Sequence, residues 1–222
     1  MSFYETLTAA TTTDRERLFS APIIADCLQG RVSNESYQAF LSQAFHHVRH
    51  TTPLLMLLGG RLPERLGWLR KAVAEYIEEE IGHEEWILND IAAAGGDAAA
   101  ARASQPDAAA ELMVAYAYDT IARNNPVGFF GMVQVLEGTS IALATQAAKV
   151  IAQSLGLPPA AFSYLTSHGS LDISHMKFFS DLMNALDDPA DQDAVLHVAR
   201  MMYRLYGDVF RSLPAYEESV AA

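Results

Sequence analysis

The sequence predicts an all-α protein. Half of its 222 residues are hydrophobic, apolar positions recur at helical spacing, and β-branched runs bounded by turn residues are scarce. The length fits one domain spanning residues 1–222 with a sizeable core.

About eight helical segments are expected. Asp14 to Leu28 reads as an early helix closed by Gly30. Asn34 is the expected N-cap of a long helix through Leu58, bent at Pro53 and ended by Gly59 and Gly60. A third runs from Pro63 to Ala94 and stops at Gly95 and Gly96. It carries Glu78, Glu79 and Glu80 directly before Gly82 and His83, and Gly82 is expected only to loosen its turn. The stretch AARASQPDA reads as loop, and Asp107 to Arg123 resumes a helix. Asn124, Asn125 and Pro126 make a turn before a strongly apolar helix ending at Gly156. A short helix to His168, another from Ser170 to Leu186 and a last from Ala190 to Leu213 complete the chain, without repeats.

A formal charge of −12 with no basic cluster disfavours a nucleic-acid partner, because phosphates would meet a repulsive field. The N-terminal segment has no basic region followed by an apolar run, and no window is expected to approach the roughly 18 apolar residues of a membrane span. A cytoplasmic protein without a membrane partner is expected. Cys27, the one cysteine, sits in the apolar stretch PIIADCLQG and reads as a buried structural thiol.

The chemistry concentrates in a few carboxylates and imidazoles. In His168-x-x-x-Asp172-x-x-His175 the spacings of three, four and seven put all three residues on one helical face. Two imidazoles and a carboxylate suit iron, manganese or zinc. The same residues also read as a polar helix surface, with Asp172 a cap after Gly169. Glu80-x-x-His83 is a second set at i,i+3 spacing, the device used by helical dimetal sites. Glu79 is the reserve for Glu80, and the whole acidic run reads alternatively as a solvated face. Glu137 is the one charged residue between Arg123 and Lys149, and a buried lone carboxylate is costly unless paired or bound to metal. An arginine or backbone partner is its plainer explanation.

His46, His47, Arg49 and His50 form a further cluster in AFHHVRHTTPLL. They are candidate substrate-binding residues, with Arg49 a carboxylate anchor, and read equally as inter-helix hydrogen-bond partners. Tyr76 and Tyr164 read as core, while Asp119, Tyr203, Tyr206 and Asp208 are candidate pocket residues that spacing alone does not select.

At these residues the sequence resembles the heme-oxygenase-like superfamily, which includes TenA/thiaminase II proteins and the pyrroloquinoline-quinone (PQQ) synthesis oxidase. Within it, the chain is similar to the heme-oxygenase-like diiron oxidases and oxygenases. The resemblance rests on the order Glu80, His83, Glu137, His168, Asp172, His175 and on the stretches FHHVRHTTPLL and EEEIGHEEWILNDI, and it extends from about Phe19 through Phe210. It implies a compact bundle of seven or eight helices, a homodimer, and those six residues as ligands of two iron ions, with manganese the alternative metal. It also implies dioxygen activation to oxidise a small organic substrate, such as a carboxylate-bearing, amino-acid-derived or fatty-acid-derived compound.

Departures bear on sibling activities. Thiaminase II needs a nucleophilic cysteine in a later helix, and this chain has none after Cys27. A heme oxygenase needs a proximal histidine near its N-terminus, and the first histidine here is His46. Two other functional classes compete: a metal-free TenA-like regulatory or binding protein, and a cofactor-independent oxidase resembling the PQQ-synthesis enzyme.

Overall fold

In the computed structural model, residues 1–216 are described, with the side chains of 168–174 outside the description. No strand occurs among them, as the composition predicts. The helices are α1 (Phe3–Ala10), α2 (Thr12–Phe19), α3 (Pro22–Leu28), α4 (Asn34–Val48), α5 (Thr51–Arg61), α6 (Gly67–Glu80), α7 (His83–Ala93), α8 (Ala98–Ala103), α9 (Ala108–Arg123), α10 (Phe130–Leu155), α11 (Ser163–Asn184) and α12 (Pro189–Ser212). Short 3-10 turns lie at Glu64–Leu66, Pro126–Phe129 and Pro159–Ala161.

The helices outnumber the expected seven or eight because three anticipated helices are each divided and because α1 and α8 form where no helix is expected. Pro22 begins α3 and separates it from α2. The second divides at Arg49 and His50, before Pro53, which lies inside α5. The third divides at Ile81 and Gly82, where Gly82 takes φ +91°, a left-handed conformation that costs glycine little and breaks the α6–α7 ladder. The opposite error occurs at α11, which runs unbroken through Gly169. Asp172 is therefore not a helix cap.

Capping chemistry sets several boundaries. Ser2 and Glu5 form a capping box on α1. Ser33, not Asn34, caps α4; Asn34 is the first helical residue and its amide donates to Ala94 O. Asp97 accepts from Ala99 N and Ala100 N to start α8 inside the expected loop, and Asp188 does the same for α12. Gly156, at φ +64°, closes α10 where expected.

α10 is the central rod, packed against α11 and α12. Its contact with α12 is close: a Cβ on Gly131 would meet Ala199 N and Val195 O at 2.5 Å. Phe130, Met132 and Val135, from its first half, join a core with Leu54, Leu58, Phe179 and Met202. Ala144, Ala148 and Ile151, from its second half, join another with Tyr37, Leu41, Phe45 and Ile87. Glu137 and Ser140 sit between these stretches, so polar groups occupy the seam where the two apolar clusters approach.

Within the 30-residue stretch Pro126–Leu155 an 18-residue window has a mean hydropathy of 1.5, so the stretch is long and apolar enough to cross a membrane, contrary to the expectation that no window approaches a span. Its hydrophobicity has an internal use, since 61% of that window is buried inside the protein.

Candidate metal centre and cavity

Glu80 is the last residue of α6 and His83 the first of α7. The pair therefore straddles a helix break and does not lie on one helical face, as its spacing suggests. The sharp turn at Gly82 nevertheless brings the side chains together: His83 Nδ1 donates to Glu80 Oε2 at 3.1 Å, with both groups buried. His83 also stacks on Trp86, with ring centroids 3.9 Å apart, which fixes its imidazole plane.

The two neighbouring glutamates diverge. Glu80 faces the interior and is 9% exposed. Glu79, with a side chain 54% exposed, lies at the edge and its Oε2 is 2.9 Å from His175 Nε2. His175 Nδ1 lies 3.8 Å from Glu137 Oε1, so this buried imidazole stands between a peripheral and an interior carboxylate. The ring of Tyr76, one turn before Glu80, meets His175 edge-on at 5.9 Å.

Glu80 and Glu137 line one cavity of about 90 Å³, together with His47, Tyr76, Tyr164 and Tyr206. Its remaining wall is mostly aliphatic and aromatic, including Leu54, Leu55, Phe129 and Met132. Few polar groups converging in an apolar shell make a ligand site, because the apolar surround strengthens each polar contact. The donor chemistry suits iron: each interior carboxylate has an imidazole beside it. Among the described residues, however, no three His, Cys, Asp or Glu side chains are gathered around a single point. The side chains of His168 and Asp172 lie outside the described residues; the unbroken α11 backbone places both positions on the helix that carries His175.

The histidine cluster separates, because consecutive residues at the end of a helix leave in different directions. His47 enters the cavity wall and meets Tyr206 edge-on at 5.7 Å. His46 Nε2 lies 2.8 Å from Ser104 Oγ, and His50 Nδ1 lies 3.1 Å from Tyr118 Oη. Burial, followed by the Arg49 charge, lowers the pKa of both imidazoles and favours their neutral forms. Arg49 itself lies over Phe45, 5.2 Å from the ring centroid, and is not among the cavity-lining residues. His46 and His50 thus make the contacts of the inter-helix alternative, and Arg49 packs on Phe45 of its own helix.

Tyr76, Tyr164 and Tyr206 line the cavity, although the sequence marks the first two as core. The i,i+4 spacing of Tyr76 and Glu80 is a usable signal; Tyr206 has none within its own segment. Asp90, fully buried on α7, is another residue the sequence does not select. It accepts from Ser163 N at 2.9 Å and Tyr164 N at 2.8 Å, and so caps the α11 N-terminus from a helix that bears a candidate ligand. Burial raises its carboxyl pKa against the pull of these hydrogen bonds.

The family described as iron-containing redox enzyme matches residues 38–207. The chain belongs to this family. No curated protein matches it significantly. Among solved structures, this iron-containing redox enzyme family member is similar to a domain of unknown function with a heme oxygenase-like fold from Shewanella denitrificans OS217. That match has a TM-score of 0.85 and 23% identity, covering 95% of this chain and 90% of the other. Heme oxygenase-1 from the cyanobacterium Synechocystis sp. PCC6803, in complex with heme, aligns with TM-score 0.74 and 11% identity over 95% and 91% of the two chains. A TenA homologue from P. horikoshii OT3 aligns with TM-score 0.74 and 12% identity over 95% and 97%. These likenesses establish a heme oxygenase/TenA helical fold.

Proposed function

We propose that the chain is a non-heme iron oxidase or oxygenase that holds two iron ions with Glu80, His83, Glu137, His168, Asp172 and His175. The observation that carries this reading is the convergence of Glu80 and Glu137 on one cavity, each with a histidine beside it, in a member of an iron-containing redox enzyme family. Iron bound there supplies dioxygen activation. The protein's own groups hold the donors and shape the space: Trp86 orients His83, Tyr76 braces His175, and the apolar wall keeps bulk water away from the carboxylates. The reactants in this reading are dioxygen and a small organic substrate, and the assembly is a cytoplasmic homodimer.

A metal-free binding protein is the second reading. It is favoured by the short Glu80–His83 and Glu79–His175 contacts, in which carboxylates and imidazoles satisfy one another. Anaerobic ferrous titration with metal analysis separates the two. The iron reading expects about two equivalents per chain, retained by His47→Ala and lost on His175→Ala. No iron uptake by the intact chain would sink it.

A further inference from the structure

A second cavity, of about 110 Å³, lies between α3, the start of α4, the second half of α10, the start of α11 and the end of α12. Its wall is almost wholly apolar, with Ile24, Phe40, Leu143, Ala147, Leu165 and Phe210 representative of it. Cys27 belongs to the same wall, and burial pushes its thiol up to about 11, so it stays protonated and adds no charge. The Tyr37 hydroxyl in this wall donates to Ala161 O at 2.6 Å.

The cavity adjoins the candidate metal centre. Ser140, Tyr164 and Tyr206 line both spaces. One face of α10 runs along the pair: Val133, Glu137 and Ser140 line the first, and Ser140, Ala144, Ala147 and Ile151 line the second. From Glu137 to Ala147 this face extends about 15 Å at 1.5 Å per residue. The result is a polar, carboxylate-bearing end and an apolar end on one continuous helical stripe.

We infer that the second cavity is a binding subsite for an extended aliphatic segment of the substrate, whose polar, oxidisable end passes the Ser140, Tyr164 and Tyr206 wall to reach Glu80 and Glu137. This inference rests on the iron-oxidase reading of the first cavity. Apolar cavities of this kind take apolar guests, and each methylene moved from water into one strengthens binding. Aromatic and aliphatic groups dominate the subsite and its lining carries no charged residue, only the hydroxyls of Ser36, Thr139, Ser140 and the tyrosines beside the Cys27 thiol, so the carboxylate-bearing cavity is the more polar end and sets the orientation of a two-ended molecule.

A straight-chain 1-alkanol series, from butanol to dodecanol, tests the subsite by calorimetry on the full-length protein without added metal. Affinity should tighten about three- to fourfold per methylene until the cavity is filled, then level off. Ala147→Phe should weaken long-chain binding by about tenfold, leave the shortest alkanols unchanged, and keep iron uptake intact. No binding, or affinity independent of chain length in the unaltered protein, overturns the inference even if the variant fails to fold. Affinity that weakens with rising protein concentration also overturns it, since a second copy would then cover the cavity. Iron titration of the same preparation reads the metal proposal separately: alkanol binding without iron uptake supports the subsite and sinks the metal reading, and iron uptake without alkanol binding does the reverse.

Discussion

Two kinds of interior carboxylate occur in this protein, and their surroundings differ. Asp90 and Asp191 are fully buried and are held by protein donors: Asp90 by the first backbone amides of α11, Asp191 by the two terminal guanidinium nitrogens of Arg65 at 2.6 and 2.9 Å and by Asn125 at 2.8 Å. Neither lines either cavity. Glu80 and Glu137 line a cavity and meet imidazoles. The first pair ties helices together, α7 to α11 and the Arg65 turn to α12. The second pair presents acceptors to a space that a ligand can enter. Burial alone does not mark a functional carboxylate; what it faces does.

Substitutions should divide along this line. The largest effect is expected for Glu137→Gln, which should weaken iron binding by about 100-fold or more while leaving the thermal midpoint of the metal-free protein unchanged or higher, since an acid leaves an apolar helix. Ferrous titration and calorimetric melting read the two quantities; a strong loss of stability with iron retained would reverse the assignment.

Asp90→Ala should act the other way. It strands buried α11 amides and should cost about 3 kcal/mol of unfolding free energy, with iron still taken up by the folded fraction in the cold. A denaturation midpoint equal to that of the unaltered chain would remove Asp90 from its proposed structural role.

The smallest effect is expected at Asp191 and depends on pH. Its hydrogen bond with Arg65 holds the carboxyl below its ordinary value, so the unfolded chain binds the proton more readily than the folded one. The stabilisation is present above the unfolded value and is lost as pH falls through the folded one. Asp191→Asn should therefore melt lower than the unaltered protein at neutral pH, and the two midpoints should converge below about pH 4. A gap that persists in acid would assign the effect to packing.

Much of the fold is legible locally. The final helix lies within one residue of its expected bounds, α9 starts at Ala108, one residue after the expected Asp107, and Gly156 ends α10. The errors have local causes as well. Gly82 enters the left-handed region and breaks a helix, whereas Gly169 stays within one, because glycine permits either conformation and packing chooses. The candidate site is legible as composition more than as geometry. Glu137 is conspicuous because its segment carries no other charge, and Glu80-x-x-His83 because of its spacing, yet that spacing works through a turn and not a helical face.

By itself the sequence determined the helical class, glycine stops such as Gly156 and the presence of carboxylate and imidazole donors, because periodicity and helix termination act over a few residues. Only the tertiary structure decided that Glu80 faces inward and Glu79 outward, that His47 alone of its cluster reaches the cavity, and that Tyr206, far along the chain, closes the wall beside Ser140. Those choices depend on how α4, α6, α10 and α12 pack around one seam. That long-range arrangement also places the two cavities end to end on α10, a relation between distant segments that no local pattern encodes.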